Sequence, residues 1–189
     1  DEAKKINADY VLIHMNTYGG TVDDADSIRT KILNSNIPVI VFIDNNAASA
    51  GALISIACDK IYMRKGANIG AATVVDQSGN VVPDKYQSFM RSMMRSTAQA
   101  HGQDTIINGS DTTFLWKRDP NIAQAMVDPS IYIEGVIDTG KVLTFTTTEA
   151  MQHGFCDSQA EDIKEVLKIE GIENYEIKEY FITPLEKTI

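Results

Sequence analysis

The stretch that decides the fold is Pro38–Gly51, which reads Pro-Val-Ile-Val-Phe-Ile-Asp-Asn-Asn-Ala-Ala-Ser-Ala-Gly. Its opening run, Pro38–Ile43, is wholly apolar and rich in β-branched side chains, which predicts a strand covered on both faces. The residues from Ala50 to Cys58 are almost all small or apolar, which predicts a buried helix. Ser49 therefore lies where a buried strand turns into a buried helix.

Ser49 has two interpretations at this turn. A serine directly before a helix most often caps it, by accepting a hydrogen bond from the first helical turn. The same turn carries N–H groups that have no partner within the helix, and such groups stabilise an oxyanion. A serine hydroxyl held beside them is a candidate nucleophile. The position of Ser49 alone leaves both interpretations open.

The residues before this stretch repeat the same arrangement. Tyr10–Met15 is predicted as a strand and Thr21 as the start of a helix with aspartates in its first turn. Alternating strands and helices are typical of an α/β domain with right-handed crossovers. Neighbouring parallel strands would bring Gly19-Gly20 and Ser49-Ala50 to one edge of the sheet, with one oxyanion donor from each junction. The glycine pair also has a simpler interpretation, as a tight turn into the helix.

The rest of the chain contains further elements and one segment without periodicity. We expect Gln103–Trp116 to be irregular; within it, Asn108-Gly109-Ser110 fits the glycosylation pattern, which is common by chance. The predicted elements are a strand over Lys60–Met63, a glycine-punctuated loop over Gly66–Ala72, a hairpin turn over Asp76–Asn80, a helix from Pro83 to about His101 with Phe89, Met90, Met93, Met94 and Thr97 as its apolar stripe, a short helix over Asn121–Val127, a strand over Val142–Thr146, a helix over Glu149–His153 capped by Thr148, a helix over Ala160–Ile169 and a final strand over Tyr175–Tyr180.

Composition excludes several classes of protein. A chain of 189 residues is expected to form one domain, and its net charge of −9 argues against nucleic acid or an anionic membrane surface as a partner. No apolar run reaches the roughly 18 residues of a membrane span. Cys58 is expected to be a small buried hydrophobe. We expect neither a metal nor a cofactor. Because the chain starts at Asp1 and enters its first strand almost at once, we expect a fragment of a longer protein.

A serine nucleophile needs a base, and few residues are candidates. His14 lies within a strand, and His101 and His153 end helices, so none is well placed. Lys85 follows Pro83-Asp84 in the first turn of a helix, where the positive end of the helix dipole favours a neutral amine. A solvated lysine paired with Asp84 or Asp76 is the plainer interpretation. The sequence thus suggests a Ser–Lys dyad without establishing one.

At this point the chain resembles a known family, the ClpP-class serine protease domain of NfeD proteins, which are membrane-bound relatives of ClpP and of signal peptide peptidase A. The resemblance covers nearly the whole chain. It rests on an ordered set of motifs: Asn16-Thr17-Tyr18-Gly19-Gly20, Ala48-Ser49-Ala50-Gly51, Asn68-Ile69-Gly70-Ala71-Ala72, Pro83-Asp84-Lys85, Ala125-Met126-Val127-Asp128-Pro129, Leu143-Thr144, Glu149-Ala150 and Gly154.

The resemblance implies a fold, a set of catalytic residues, a substrate and a place in the cell. The fold is α/β, a ClpP/crotonase-like spiral of strand–strand–helix units, with residues 1–189 as one protease domain. Ser49 would be the nucleophile and Lys85 the general base, with oxyanion donors on the Gly19-Gly20 turn and on the Ala50 N–H. The substrate would be an apolar segment of a membrane protein, such as a stomatin-like partner. The whole protein would be a membrane-anchored homo-oligomer, with this domain outside the cytoplasm and with membrane spans and a small C-terminal β-barrel domain beyond this chain.

Two departures and two alternatives accompany the resemblance. The family often has proline where this chain has Tyr18, so the turn that faces substrate would differ. The segment Gln103–Trp116 is longer than expected and would be a lid, an oligomer contact or disordered. An acyl-CoA enzyme of the same fold would leave Ser49 and Lys85 without a role. A catalytically silent scaffold that only binds its partner is the third possibility.

Overall fold

The structure is a computed structural model that describes residues 2–108 and 111–180. The strands are β1 (Val11–Thr17), β2 (Val39–Ala48), β3 (Lys60–Met63), β4 (Asn68–Gly70), β5 (Gln103–Asn108), β6 (Asp111–Trp116), β7 (Thr144–Thr146) and β8 (Ser158–Gln159). The helices are α1 (Glu2–Lys5), α2 (Val22–Leu33), α3 (Ala50–Ala57), α4 (Asp84–Gln99), α5 (Pro120–Ala125), α6 (Thr147–Gln152) and α7 (Ile163–Ile169).

The main sheet has six strands and is built around β2. Strand β1 runs parallel along one side of β2. On the other side β2 changes partner: Ile40–Ile43 pair with β3, and Asn46–Ala48 pair with β4, both parallel. Strand β8 extends the sheet beyond β3 in parallel, and β7 adds to β4 in antiparallel orientation. The predicted α/β class is confirmed.

Strand β2 is covered on both faces, as its apolar run predicts. Val41 and Ile43 belong to the larger core, to which most of the buried apolar residues of α3 contribute. On the opposite face, Ile40 and Phe42 pack with Val166 of α7 in a smaller cluster. The strand that leads to Ser49 is therefore held rigidly from both sides.

The segment Gln103–Trp116 was expected to be irregular, and this expectation is wrong. Strands β5 and β6 form an antiparallel hairpin in which Gln103 is opposite Trp116 and Asn108 is opposite Asp111. Apolar residues adjacent in sequence, such as Ile106-Ile107, point to both faces of the hairpin, which removes the alternation that identifies a strand. Of the glycosylation triplet, Gly109 and Ser110 lie outside the described residues.

Four smaller expectations are also wrong. Residues 172–180 form neither helix nor strand, although Tyr175–Tyr180 was predicted as a strand. Helix α6 is capped by Thr146 in a capping box with Glu149, rather than by Thr148. Phe89 is 56% exposed instead of joining the buried stripe of α4. Residues 68–70, expected in a loop, form the short strand β4 because β2 extends beyond β3 and offers a free edge.

The remaining predicted elements are observed within a few residues of their expected ends. The turn over Asp76–Asn80 is closed by a bridge between Val75 and Val81, and Cys58 is buried at the end of α3. No helix among the described residues is long and apolar enough to cross a membrane.

Candidate active site

The backbone of Ser49 adopts a conformation that residues with a side chain rarely occupy. Its φ is 55° and its ψ is −116°, and such strain persists only where the surroundings enforce it. Hydrogen bonds on both sides hold the Ser49 backbone in this conformation. The Ser49 N–H donates to the Gly70 carbonyl at 3.0 Å, and the Ser49 carbonyl accepts from the Ala52 N–H at 3.0 Å. Ser49 is thus fixed between β4 and α3.

The hydroxyl of Ser49 does not cap the helix. Ser49 occupies the N-cap position of α3, but its side chain makes no capping hydrogen bond. Within residues 2–108 and 111–180 the Oγ has no hydrogen-bond partner at all. A strained serine whose hydroxyl is left free argues against the capping interpretation and in favour of a chemical role.

The two strand–helix junctions meet, as the sequence predicts. A Cβ placed on Gly19 would lie 3.0 Å from the Ser49 Cβ and 3.4 Å from its Oγ, and one placed on Gly20 would lie 3.9 Å from the Ala50 Cβ. The Gly19 φ of +134° also favours glycine. The absence of side chains at this turn therefore brings its backbone directly against Ser49.

Two N–H groups near Ser49 are available as donors. The Gly19 N–H is donated to Thr17 Oγ1 at 3.1 Å, which leaves the next amide, that of Gly20, as the donor of this turn. Neither the Gly20 N–H nor the Ala50 N–H has a partner among the described residues. One free donor from each junction is the arrangement that an oxyanion hole needs.

Thr17 and Gly51 shape the site and were missed by the sequence reasoning. The Thr17 hydroxyl receives the Gly19 N–H and donates to the Gly19 carbonyl at 3.1 Å, which fixes the turn. A Cβ on Gly51 would lie 2.6 Å from Thr17 Cγ2, so only glycine lets α3 approach β1 this closely. A threonine two residues before a glycine is a signal for this kind of turn.

Lys85 lies in the first turn of α4 and its side chain is exposed. It lines a groove of about 660 Å³ together with Val22, Asp23 and Phe89, among others. Lys85 therefore faces the start of α2, which follows the Gly19-Gly20 turn in sequence.

Neither expected partner binds Lys85. Asp84 pairs with Arg91 at 2.8 Å. Asp76 accepts backbone N–H bonds from Asn80 and Ser78 within its own turn, and these bonds lower its pKa. The Lys85 Nζ lies 6.0 Å from the centre of the Tyr86 ring, and it makes no hydrogen bond or ion pair in the described part of the chain. Of the plainer interpretation, a solvated lysine paired with Asp84 or Asp76, the exposure is confirmed and the pairing is wrong.

The structure brings together Gly19, Gly20, Ser49 and Ala50. It places Lys85 in the groove at the start of α4, without a hydrogen bond between Lys85 and Ser49.

The histidines are engaged elsewhere. His14 pairs with Asp44 at 3.1 Å, and His153 stacks on Phe145 with 5.2 Å between ring centres. The His101 Nε2–H donates to the Ile56 carbonyl at 2.7 Å. Burial, followed by the positive charge of Arg118, lowers the pKa of His101 to about 4. Their positions agree with the expectation that no histidine serves Ser49.

Among the residues that the structure describes, neither the cysteines nor a cluster of possible metal ligands offers an alternative site. Burial raises the pKa of Cys58 and of Cys156 to about 12, so both remain thiols at neutral pH. Within the described ranges, no group of three or more His, Cys, Asp or Glu side chains is placed to hold a metal ion.

Comparison with solved structures gives the class of the fold. A probable enoyl-CoA hydratase from Mycobacterium tuberculosis superposes with a TM-score of 0.56 and 17% identity, over 90% of this chain and 64% of that one. ClpP1 from Listeria monocytogenes superposes with a TM-score of 0.54 and 18% identity, over 86% of this chain and 80% of that one. At these identities the likeness concerns the fold alone, which is the ClpP/crotonase fold.

The chain belongs to the NfeD1b family: the model of the NfeD1b N-terminal domain matches residues 1–180. It is 33% identical over 177 residues to membrane protein NfeD1b of Bacillus subtilis, covering 93% of this chain and 37% of that protein. It is 29% identical over 174 residues to membrane-bound protease PH1510 of Pyrococcus horikoshii, covering 88% and 33%. The chain thus spans about a third of the length of each relative.

A solved structure is also similar at the level of sequence. It is the 1510-N membrane-bound stomatin-specific protease, in complex with a substrate peptide. It matches with a TM-score of 0.68 and 27% identity, over 88% of this chain and 68% of that one.

Proposed function

We propose that this chain is the protease domain of a membrane-associated serine peptidase, with Ser49 as nucleophile and Lys85 as general base. The observation that carries the proposal is the state of Ser49: a strained backbone, a hydroxyl with no partner among the described residues, and a free N–H on each side of it. Nucleophilic attack on a peptide carbonyl needs an available hydroxyl and donors for the oxyanion that forms.

The proposed reaction proceeds in two stages. Neutral Lys85 takes the proton from the Ser49 Oγ as the oxygen attacks the scissile carbonyl carbon. The Gly20 and Ala50 N–H groups donate to the resulting oxyanion, a contribution of roughly 3 kcal/mol per donor in other acyl-transfer enzymes. The Lys85 ammonium then protonates the leaving amine, which leaves an acyl-enzyme on Ser49. Water, deprotonated by Lys85, hydrolyses the acyl-enzyme and restores both residues.

Substrate binding would complete the dyad. Lys85 lines a groove whose walls include the apolar side chains of Val22, Val74 and Phe89. An apolar peptide segment in this groove would exclude water from the amine, and exclusion of water favours the neutral form that a base requires. We therefore place the substrate segment along the Gly19-Gly20 turn as an extended strand that binds through main-chain hydrogen bonds.

The names of similar proteins support the substrate class. One relative is named a membrane-bound protease, and one similar structure is a stomatin-specific protease bound to a substrate peptide. Two structures of that protease carry alanine in place of a lysine in one and of a serine in the other. By extension, we propose that this single domain cleaves an apolar segment of a stomatin-like membrane protein. We further propose that it lies outside the cytoplasm in a membrane-anchored oligomer whose membrane spans and β-barrel domain lie beyond this chain.

Hydrolysis of an apolar peptide library tests the dyad. The parent chain, Ser49→Ala and Lys85→Ala are compared by mass spectrometry of the products from about pH 6 to about pH 10, with Lys65→Ala, another exposed lysine, as the matched control. We expect cleavage by the parent and by Lys65→Ala that increases with pH, and none by the other two variants. Full activity in Lys85→Ala would refute the assigned base. Cleavage that survives in Ser49→Ala would refute the nucleophile, and a parent that cleaves no peptide would favour the scaffold.

A further inference from the structure

A buried glutamine close to Lys85 in sequence has no part in the proposed reaction. Gln87 is 6% exposed. Its Oε1 accepts the Val74 N–H at 3.1 Å, and its Nε2 donates to the Val74 carbonyl at 2.7 Å and to the Val82 carbonyl at 3.5 Å. A single amide side chain therefore satisfies both backbone groups of Val74, as a neighbouring strand would do.

Little besides Gln87 holds the first turn of α4 in place. Of residues 83–89, all of which the structure describes, only Gln87 is buried. Pro83 occupies the N-cap position and makes no side-chain capping hydrogen bond. The ion pair of Asp84 involves a side chain that is 81% exposed, so it contributes little. The first buried apolar residue of α4 is Met90. Because helix ends with few buried contacts fray, the glutamine amide is the main anchor of this turn.

Val74 belongs to a segment that also holds Ser49. Val74 lies four residues beyond Gly70, whose carbonyl accepts the Ser49 N–H at 3.0 Å. Between them, the N–H groups of Ala71 and Ala72 donate to carbonyls on other parts of the chain, at 2.9 and 2.6 Å. Four residues of extended chain span at most about 14 Å. The amide contact thus connects the first turn of α4 to a short, fixed segment whose other end binds the backbone of the candidate nucleophile.

We infer that Gln87 is a positioning residue that sets the distance between Lys85 and Ser49; this inference rests on the proposed function. Lys85 lies two residues before Gln87, at the start of the same helix. Lys85 and Val74 also line the same groove, so the amide contact fixes the base relative to another wall of that groove. A general base works only within hydrogen-bond reach of the proton that it accepts, and a displacement of about 1 Å can slow a reaction roughly 100-fold.

Two variants remove the contact in different ways. Gln87→Glu keeps the size of the side chain but replaces the Nε2 donor by a carboxylate oxygen, which cannot donate to the Val74 and Val82 carbonyls. Gln87→Met removes both the donor and the acceptor without adding a charge. Thr97→Val is the matched control, because Thr97 is also a buried polar residue of α4 and donates to the Met93 carbonyl at 2.6 Å. It lies ten residues further along the helix, about 15 Å from Gln87.

The test measures how fast Ser49 reacts with a fluorophosphonate probe, by mass spectrometry of the intact chain. The Oγ forms a bond to phosphorus, fluoride leaves, and the base takes the hydroxyl proton, so the rate reports on the nucleophile and the base together. We expect Gln87→Glu and Gln87→Met to react roughly 30-fold more slowly than the parent, and Thr97→Val to differ by less than about twofold. For a cleaved peptide, kcat should fall by the same factor as the labelling rate, while KM changes by less than about threefold.

A double-mutant cycle separates the positioning of Lys85 from a general effect on the site. When Lys85→Ala is already present, Gln87→Glu should alter the labelling rate by less than about twofold, because no base remains to be positioned. Amide hydrogen exchange of residues 84–88 should be roughly tenfold faster in Gln87→Glu than in the parent, while that of residues 93–97 stays the same.

Four outcomes would overturn the inference: labelling of Gln87→Glu at the parent rate, equal slowing in Thr97→Val, an undiminished effect of Gln87→Glu when Lys85→Ala is present, and global unfolding of both Gln87 variants by circular dichroism. If the first occurs while Lys85→Ala slows labelling and Ser49→Ala abolishes it, the inference fails and the proposed function stands. If Ser49 of the parent takes no label, or if Lys85→Ala reacts as fast as the parent, both fail.

Discussion

The two ends of α3 are built in opposite ways. At its N-terminal end Ser49 is strained, and neither its hydroxyl nor the adjacent Ala50 N–H has a partner among the described residues. At its C-terminal end Arg118, only 4% exposed, donates to the Ile56 carbonyl at 2.9 Å and to the Cys58 carbonyl at 2.8 Å. His101 adds a further hydrogen bond to Ile56. One end of the helix keeps its polar groups available, while the other has them bound by side chains.

This difference shows how a small domain can hold a strained residue in place. Strain at one residue costs on the order of 1–3 kcal/mol and must be offset by the surrounding structure. Helix α3 is buried along its whole length, and its C-terminal carbonyls are satisfied by side chains. The C-terminal end and the buried body of the helix therefore stabilise the fold, and this stability offsets the strain at Ser49.

The largest expected effect comes from Gly19→Ala, which places a methyl group against Ser49. Because the new Cβ would lie 3.0 Å from the Ser49 Cβ, we expect peptidase activity to fall on the order of 100-fold or more while the fold persists. Gly66→Ala is the control, since Gly66 also has a positive φ of 83° but nothing within 4 Å of its added Cβ. It should lose stability and keep its activity. Equal losses of activity in the two variants would show that the close approach to Ser49 is unimportant.

Removing the guanidinium at the other end of α3 should affect stability instead. Arg118→Ala leaves the buried carbonyls of Ile56 and Cys58 short of donors, and we expect unfolding in urea to require about 3 kcal/mol less free energy. Arg95→Ala removes a single hydrogen bond to Gln124 and should cost about 1 kcal/mol. If the two arginine variants are equally stable, the hydrogen bonds of Arg118 do not stabilise the end of α3.

Gly51→Ala tests the packing of α3 against β1. The added Cβ would lie 2.6 Å from Thr17 Cγ2, and overpacking of this kind costs about 2 kcal/mol. Thr17→Ser removes that methyl group and keeps the hydroxyl that fixes the turn. The double variant should therefore be more stable than Gly51→Ala alone, by thermal unfolding. A double variant that shows only the sum of the two single effects would locate the clash elsewhere.

The smallest expected effect is on how the free energy of unfolding changes with pH. The pKa of His101 is lowered from 6.5 to about 4 in the folded chain, so the unfolded chain binds the proton more readily. The stability that neutral His101 contributes is complete above about pH 6.5 and is lost as the pH falls towards 4. His101→Gln keeps a donor for Ile56 but does not titrate. Between about pH 6.5 and 4.5 the parent should lose about 1 kcal/mol more than this variant in urea unfolding, because the ring is only partly shielded from solvent. If the unfolding free energies of the parent and of His101→Gln change equally with pH, His101 is not the group responsible.

The fold near Ser49 could be predicted because its signals are local. An apolar run, a glycine pair and a helix of small residues each determine their own conformation, and strand β2 and helix α3 form where the sequence places them. The β5–β6 hairpin was missed because its apolar residues do not alternate along the strands. The strand expected at Tyr175–Tyr180 failed for a different reason: a suitable pattern does not form a strand unless a sheet edge accepts it.

The candidate site also has features that could be predicted from the sequence and features that could not. The meeting of Gly19-Gly20 with Ser49-Ala50 follows from the topology of parallel strands and could be predicted. The roles of Thr17 and Gly51 depend on how closely α3 approaches β1, which no local pattern specifies. The approach of Lys85 to Ser49 depends on the packing of α4 and on what occupies the groove, and it remains a prediction.

The hydrogen bond from the Lys117 N–H to the Gly102 carbonyl, at 3.3 Å, has an evolutionary consequence. It holds the two ends of the hairpin side by side, while the anchoring residues His101 and Arg118 lie outside those ends. A segment attached in this way can grow, shrink or be deleted without moving the helix that carries Ser49. The length and sequence of the hairpin can therefore vary among related chains while the candidate active site stays unchanged.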